Sequence, residues 1–379
     1  MYLCSLNLPA LIKILESHFG LHLSRIKCLA LFVFALVERK TVNLSELKIF
    51  FNSQAHLNSR QKRLRRFLKE IIFDECLLAR FLIFIMNILF KDKLTLILDR
   101  TNWKFGSKNC NILYLAVKRG QIAVPLFWIV LEDQKQGNSS CLDRINLVQK
   151  FISAFGKETI ECILGDREFI GKNWVTWLQT EKIPFIMRIK EKGQYVSCAR
   201  GGMIKAENLF HDLLPEETRY LGPRRISQTD TYRADVSGKR TLNGETLVVI
   251  HSPNLKDPIE TYKSRWEIER FFKAIKKVGF NLEDTHITSL NALHTLLGVV
   301  AIAFCFVYKF GEVLEEIFPQ KLKKHGYKSE SVSHYGHANF IQIIRNSFIL
   351  TKRVALRFLS IIKCSLFFNV LDLTKTFVR

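Results

Sequence analysis

The spacing of hydrophobic and polar positions changes three times along the chain. Up to about residue 90, apolar residues recur every three or four positions and no alternating run occurs, which predicts helices. From Leu94 onward, short β-rich runs alternate with two segments of helical period. The runs are LTLILD (94–99), NILYLAV (111–117), AVPLFWIVLE (123–132), ECILGD (161–166) and IPFIMRIK (183–190), and the helical segments are 140–155 and 171–181. Three strands, a helix, a strand, a helix and a strand predict an α/β fold with a mixed sheet flanked by helices.

Two further changes of pattern follow. Glycines punctuate short alternating segments between residues 191 and 250, which predicts a β-rich insertion. Asp257-Pro258 then begins a helical segment of about 258–279, with the proline where a missing N–H costs nothing. The rest is mainly helical. The predicted regions are therefore a helical region (1–90), a catalytic core (91–190 with 251–285), the insertion (191–250) and a helical carboxyl-terminal region (286–379).

A membrane location is disfavoured by the length of the apolar runs. The longest, Leu296 to Tyr308, has 13 residues, whereas a spanning helix needs about 20. It is therefore predicted to be a buried core helix. The amino terminus has no basic start before an apolar run, and the nine cysteines form no CxxC pair. We expect a cytoplasmic protein that does not contact a membrane.

The net charge of the chain indicates which class of molecule it binds. The chain has 57 Lys and Arg against 35 Asp and Glu, a formal net charge of +22, which indicates a polyanionic partner. One segment, NSRQKRLRRFLKEI, is predicted to be a helix capped at Asn58-Ser59. Its cations are Arg60, Lys62, Arg63, Arg65, Arg66 and Lys69. They could form an ordinary solvated helix face, but the charge of the whole chain favours contacts with a DNA backbone.

Two aspartates follow hydrophobic strands in this basic chain. Asp99 ends LTLIL, and Asp166 ends CILG. If the two strands are neighbours at the centre of the sheet, the carboxylates converge, and like charges held close together favour a bound cation. Mg²⁺ is bound through one or two carboxylates together with substrate phosphates. Alternatively, Asp99 is a turn residue and Asp166 is a helix cap.

A third carboxylate lies in the segment TYKSRWEIERFFKAIKK, which contains Tyr262, Arg265, Glu269 and Lys276. At about 100° per residue these side chains project within about 60° of one another. One helix face would then carry a metal ligand and three groups that bind phosphate. Alternatively, Arg265 and Glu269 form a surface ion pair with no functional role.

Together, the three blocks LILDRTNW, ILGDREFIG and YKSRWEIERFFKAIKK resemble the DDE insertion-sequence transposases of the subgroup with the YREK signature. The resemblance spans about residues 92–340. It implies a ribonuclease-H-like mixed sheet core with an all-β insertion, flanked by helical amino- and carboxyl-terminal regions. It also implies that Asp99, Asp166 and Glu269 bind the catalytic metals. The DNA-contacting residues it implies are Tyr262, Arg265 and Lys276, with Arg188 and Lys190 on a basic strand.

The resemblance further implies a reaction. A DNA transposase would cleave double-stranded DNA at inverted-repeat ends and transfer the 3′-hydroxyl into target DNA. It would use two Mg²⁺ ions, with Mn²⁺ able to substitute. We expect a homodimer on paired DNA ends, associated with the bacterial nucleoid. Two alternatives remain: a ribonuclease-H-like nuclease that does not join DNA, and an inactive transposase-derived DNA-binding protein.

The insertion departs from relatives that form DNA hairpins, because those often stack a flipped base on a tryptophan there. No tryptophan lies between Trp177 and Trp266 in this chain. Phe210, Tyr220 and Tyr232 are the possible substitutes, since any aromatic face supports stacking.

Overall fold

A computed structural model describes residues 8–51, 55–90, 93–105, 108–131, 139–324, 326, 328–345 and 357. The chain divides into two compact units. The first contains Met1–Ile88, Trp103–Cys110 and Phe271–Arg379, and the second contains Leu89–Asn102 and Asn111–Arg270. This division is coarser than the four regions predicted from the sequence, whose boundaries stay a prediction.

The second unit is built on a mixed sheet. In the described part of the chain the sheet has ten strands, in the order β3-β2-β1-β4-β5-β10-β9-β8-β6-β7. The first five strands are β1 (Leu94–Phe105), β2 (Lys108–Arg119), β3 (Ile122–Leu131), β4 (Ile160–Gly165) and β5 (Phe185–Arg188). β4 runs parallel to both β1 and β5, whereas β2 and β3 are antiparallel. This mixed arrangement confirms the predicted ribonuclease-H-like core.

Helices α6 (Cys141–Phe155) and α7 (Lys172–Thr180) connect these strands. Helix α6 begins at a capping box, in which the Ser140 hydroxyl accepts from the Asp143 N–H and the Asp143 carboxylate accepts from the Ser140 N–H. Its apolar side packs against β3. The connection from β1 to the parallel strand β4 therefore passes through a helix, as parallel neighbours require.

The predicted β-rich insertion continues the same sheet. Its strands are β6 (Tyr195–Ser197), β7 (Met203–Lys205), β8 (Thr218–Ile226), β9 (Tyr232–Arg240) and β10 (Thr246–His251). Strand β10 pairs antiparallel with β5, and β9 pairs with β10. The insertion also contains one turn of 3₁₀ helix, Ala206–Leu209.

The helical segment predicted over about 258–279 is confirmed, but it is not a regular α-helix throughout. Helix α8 (Pro258–Lys263) passes into a 3₁₀ turn at Ser264–Trp266, then into α9 (Glu267–Lys273) and a π-helical turn at Ala274–Val278. Each change alters the angle per residue, so an ideal projection at about 100° does not hold along the segment. The beginning agrees with the prediction, with Pro258 in the first turn after Asp257.

The described part of the first unit is mostly helical. It includes α1 (Leu8–His18), α2 (Leu23–Arg39), α3 (Leu44–Phe50), α4 (Leu57–Glu70), α5 (Glu75–Ile85), α10 (Leu290–Ile317) and α11 (Val332–Arg345). Helix α4 starts one residue before the predicted cap: His56 occupies the capping position without a side-chain hydrogen bond. Its buried side consists of Leu64, Phe67 and Leu68. The end of the predicted carboxyl-terminal region, residues 346–379, lies outside the described residues except for Arg357.

Helix α10 explains the long apolar run. Within the described chain it is the one helix long and apolar enough to cross a membrane, but 83% of its most apolar window is buried inside the protein. It packs against α2, α4, α5 and α11. Two glycines permit the close approach to α11: a Cβ on Gly311 would lie 2.2 Å from the Val332 carbonyl oxygen, and one on Gly336 would lie 2.2 Å from that of Val307. The helix has the surroundings of a core helix.

Candidate active site

Asp99 and Asp166 are brought together by the register of two parallel strands. The sequence predicted Asp99 at the end of a strand. Strand β1 continues to Phe105, so Asp99 lies within it. Pairing with β4 stops at Leu98 opposite Gly165, and the two aspartates are the next residues. Asp166 precedes a turn and not a helix. In this turn the Asp166 carbonyl oxygen accepts from the Phe169 N–H at 2.9 Å.

Arg265 links Asp99 to Glu269. Its Nη1 donates to Asp99 Oδ2 at 2.7 Å, and its Nη2 donates to Glu269 Oε1 at 2.7 Å. The side chains of Arg265 and Asp99 are 7% and 13% exposed, whereas that of Glu269 is 41% exposed. The ion pair with Asp99 is therefore largely shielded from water, and the acid on the helix remains open on one side.

Burial controls the ionisation of this cluster. It raises the pKa of the Asp99 carboxyl to about 7, and the negative charge of Asp166 acts in the same direction. The Arg265 guanidinium pulls that pKa back down. Burial also disfavours a charged Arg265, but Asp99 and Asp166 raise its pKa, so it stays a cation. Arg265 is thus the local counter-ion of the acidic pair.

Three buried polar groups beside these acids make no hydrogen bond among the described residues: Arg188 Nε, Tyr262 Oη and Arg265 Nε. Burial raises the pKa of Tyr262, the charges of Arg265 and Arg188 lower it, and that of Asp166 raises it. Helix α8, which carries Tyr262, packs against β5, which carries Arg188. Buried polar groups are normally paired, and an exception needs a partner from outside the protein or from water. Each of the three can donate to an anion.

The remaining predicted DNA contacts occupy different places. Lys190 lies two residues past the end of β5 and is exposed. Lys276 lies in the first unit, where its Nζ is 3.1 Å from a Glu283 carboxylate oxygen and 5.8 Å from the centre of the Trp103 ring.

On α4, the predicted cations differ in their local partners. Arg60 Nε donates to the Ala55 carbonyl oxygen at 2.9 Å, Arg63 lies over the Phe51 ring, and Arg66 faces Glu70 at 3.8 Å. Lys62, Arg65 and Lys69 are exposed and form no ion pair with any residue that the structure describes. At about 100° per residue, spacings of three and seven place these last three on one side of the helix.

The three aromatic residues proposed as stacking surfaces are not equivalent. Phe210 is fully buried and Tyr232 is 8% exposed, whereas Tyr220 is 53% exposed. Only Tyr220 of these three presents a ring to solvent.

The two neighbouring carboxylates are of the ligand type that binds divalent metal ions. Adjacent Asp99 and Asp166 offer the hard oxygen ligands that Mg²⁺ prefers. The arrangement is not a preformed cage: among the described residues, no three His, Cys, Asp or Glu side chains are grouped to hold a metal ion. Arg265 occupies the bridging position between Asp99 and Glu269.

Sequence reasoning missed a set of polar residues around this cluster. Arg100 forms two hydrogen bonds with Glu168, one with Asn111, and Arg144 bonds to the carbonyl oxygen of Glu168. The available signal was position, since Arg100 follows the first aspartate and Glu168 lies two residues after the second. Arg144 falls within an otherwise apolar helix side, where a buried arginine needs partners.

The mixed sheet, with two aspartates next to each other at the end of the β1–β4 pairing, fits a ribonuclease-H-like domain. A family model described as the transposase DDE domain matches residues 91–306, more than half of the chain, and the chain belongs to this family. No curated protein sequence matches it. Among solved structures, the chain is similar to a piggyBac transposase in a cryo-EM synaptic complex with hairpin DNA. The identity is 11%, the TM-score is 0.45, and the match covers 96% of this chain and 83% of that one.

Proposed function

We propose that this member of the transposase DDE family cleaves DNA at inverted-repeat transposon ends and transfers the resulting 3′-hydroxyl into target DNA. The observation that carries the proposal is the register of β1 and β4, which sets Asp99 beside Asp166 and within the field of Arg265 and Glu269. This cluster lies inside the matched segment 91–306. Paired acids beside buried donors suit phosphoryl transfer, because the reaction needs positioning and charge stabilisation and no covalent enzyme intermediate.

The proposed metal ligands are Asp99, Asp166 and Glu269. Divalent metal ions, Mg²⁺ or Mn²⁺, would supply Lewis acidity and lower the pKa of an attacking hydroxyl. Glu269 accepts from Arg265 through Oε1, so its Oε2 could act as a ligand while that bond is kept. Because the side chain is 41% exposed, it could also turn from Arg265 to a metal without opening the core.

We propose that the three buried donors bind the phosphate next to the cleaved bond. Arg188, Tyr262 and Arg265 each have a polar group without a hydrogen-bond partner in the described chain. A DNA phosphate has enough acceptor oxygens for all three. Arg265 would contact it through Nε while one of its terminal nitrogens holds Asp99. Lys190 and Lys276 are proposed to contact the DNA backbone farther away.

The helical unit is proposed to hold the DNA duplex. The exposed cations of α4 suit contacts with the phosphate backbone that do not depend on base sequence. A transposase holds two transposon ends, so we propose a homodimer on paired ends. We also propose a cytoplasmic, nucleoid-associated location.

The function is tested with purified protein and duplex DNA carrying the inverted repeats that flank its coding sequence. With Mg²⁺, wild-type protein should first nick the ends and then join them to a target plasmid. Asp99→Asn, Asp166→Asn and Glu269→Gln should each reduce nicking by at least about a thousandfold while DNA binding is kept, since metal and charge stabilisation supply several kcal/mol. Metal-dependent nicking by any of these three variants at the wild-type rate would refute the assignment.

The same assay separates the alternatives. Nicking without joining, and with no preference for the repeats, would identify a nuclease on this fold. Sequence-specific binding with no nicking in Mg²⁺ or Mn²⁺ would identify an inactive DNA-binding derivative. Either result replaces the proposed function.

A further inference from the structure

We propose that Arg100 and Glu168 are positioning residues that, with Asn111 and Arg144, set the spacing of Asp99 and Asp166. They would thereby set how tightly the site holds a divalent metal. The inference rests on the proposed function for its consequence, but its structural part can be tested without DNA or metal.

Arg100 joins the two segments that carry the aspartates. Its Nε donates to Glu168 Oε1 at 3.2 Å and its Nη2 donates to Glu168 Oε2 at 2.9 Å. Two parallel hydrogen bonds fix orientation as well as distance, which a single ion pair does not. The side chains are 18% and 22% exposed, so solvent screens this pair less than a typical surface pair.

Asn111 fixes the arginine from the neighbouring strand. Asn111 is 2% exposed, and its Oδ1 accepts from Arg100 Nη1 at 2.8 Å. Arg100 is therefore held at both ends of its guanidinium, by β2 on one side and by the turn after β4 on the other.

Arg144 holds the same turn through its backbone. Its Nη2 donates to the Glu168 carbonyl oxygen at 3.1 Å and to the Ser139 carbonyl oxygen at 2.7 Å. Its guanidinium also lies 5.2 Å from the centre of the buried Phe169 ring. Arg144 is itself 6% exposed, so the turn is attached to the start of α6 by a buried cation.

Short links connect this network to the acids. The Arg100 N–H donates to Asp99 Oδ1 at 2.7 Å, and the Arg167 N–H donates to Asp166 Oδ1 at 2.7 Å. Successive side chains of a strand leave on opposite faces, so Arg100 supports Asp99 from the opposite face of the sheet. Residues that orient metal ligands in this way typically change metal affinity by about 10–100-fold when they are removed.

The chain provides a matched control. Arg219 donates to both carboxylate oxygens of Asp212, at 2.8 Å each, on the insertion. Arg219→Gln removes a pair of the same type and touches none of the acids of the site. Glu168→Gln keeps the size of the side chain and removes its charge, and Arg100→Gln tests the other partner.

The first measurement is hydrogen exchange of free protein. In Glu168→Gln and Arg100→Gln, the amides of residues 166–169 should exchange at least about fivefold faster than in wild type, because a charge-assisted bond restrains them. Arg219→Gln should leave that segment unchanged. Unchanged exchange in both test variants overturns the positioning role.

The second measurement is the Mn²⁺ concentration that gives half-maximal binding in an electron paramagnetic resonance titration of DNA-bound protein. It should rise about tenfold in Glu168→Gln, and excess Mn²⁺ should restore DNA nicking. An unchanged Mn²⁺ requirement overturns the proposed consequence, and so does nicking that stays absent at saturating metal. Nicking by Asp166→Asn would instead refute the proposed function, whatever the exchange data show.

Discussion

Arg265 lies between two of the carboxylates that the sequence pattern predicted as metal ligands, Asp99 and Glu269. Its guanidinium makes one 2.7 Å bond to Asp99 and another to Glu269, and it is the nearest compensation for a buried acid. A divalent cation bound by the same acids would supply the same compensation. The Arg265 guanidinium and a bound divalent metal ion are therefore expected to compensate the same negative charge.

Replacing Arg265 with alanine tests this expectation. Removal of one partner of a buried ion pair leaves the other uncompensated, so the free energy of unfolding without metal should fall by about 3 kcal/mol. Millimolar Mn²⁺ should then stabilise Arg265→Ala more than it stabilises wild type, because a ligand that binds only folded protein shifts the equilibrium by mass action. Urea denaturation with and without Mn²⁺ measures both quantities.

Arg66→Ala is the control, because the Arg66 side chain is 67% exposed and pairs at 3.8 Å with Glu70, which is 45% exposed. It should unfold almost like wild type, since exposed pairs contribute about 0–1 kcal/mol. Equal stabilisation of wild type and Arg265→Ala by Mn²⁺ would contradict the exchange of one cation for the other.

A second residue gives a prediction about pH. His337 is 2% exposed, its Nε2 donates to the Val37 carbonyl oxygen at 2.6 Å, and burial lowers its pKa to about 4. The pKa of this histidine in the unfolded chain is about 6.5. Below that pH the unfolded chain binds a proton at His337, whereas the folded chain does not until the pH approaches 4. Folding stability from this group is therefore full above about pH 6.5 and is lost as the pH falls toward 4.

The decrease in stability should amount to about 3 kcal/mol, since each unit of pKa corresponds to about 1.4 kcal/mol. Urea denaturation at several pH values measures it in wild type and in His337→Gln, which has no titrating ring. The variant should show a shallower decrease on acidification. Identical pH profiles would show that His337 does not contribute to acid sensitivity.

Sequence spacing predicted some of these contacts and missed others for a clear reason. Arg265 and Glu269 are four residues apart, so helical geometry predicts their ion pair. The bond from Arg265 to Asp99 joins residues 166 positions apart, and no local rule indicates it. Arg100 and Glu168, 68 positions apart, were missed for the same reason.

At the scale of elements, most strands and helices of the core were predictable, but the extension of the core sheet by the strands of the insertion was not. Alternating and helical periods predicted α6 and most core strands within a few residues, but β1 runs to Phe105 and not only to Asp99. Asp99 lies inside β1 because the strand continues beyond its pairing with β4, and periodicity does not show where pairing stops. The π turn at Ala274–Val278 and the 3₁₀ turn before α9 likewise leave no mark in the hydrophobic pattern.

Helix α4 gives a prediction at this scale. The variant with Lys62, Arg65 and Lys69 all replaced by alanine should bind DNA more weakly. The slope of log affinity against log salt should be smaller by about 0.9 for each phosphate that the variant no longer neutralises. Alanine keeps helix propensity and these side chains are exposed, so folding should be unaffected. Filter binding or fluorescence anisotropy over a range of salt concentrations measures the slope.

Three ion-paired lysines elsewhere form the matched control: Lys157 with Glu181, Lys172 with Asp230 and Lys263 with Glu260. Replacing them removes the same formal charge. Their replacement should alter the salt slope much less, because each cation already has an acidic partner. Equal slopes for the two triple variants would mean that net charge alone, and not the surface of α4, holds the DNA.

At the scale of the whole molecule, the proposed chemistry and the proposed basic surface belong to different units. Asp99, Asp166 and Glu269 lie in the unit of the mixed sheet, and α4 lies in the helical unit. Neutralising α4 should therefore leave Mn²⁺ affinity unchanged. Substituting the acids should leave the salt dependence of DNA binding unchanged.

The central claim is that three acids, distant in sequence, form one metal-binding site. Fe²⁺ can be loaded in place of Mg²⁺ on the DNA-bound protein and treated with ascorbate and peroxide, so that radicals cut the polypeptide near the ion. We predict three sets of fragments, ending near residues 99, 166 and 269, that disappear with excess Mg²⁺ and in Asp166→Asn. Cuts at other places, or cuts that Mg²⁺ does not suppress, would contradict a shared metal site.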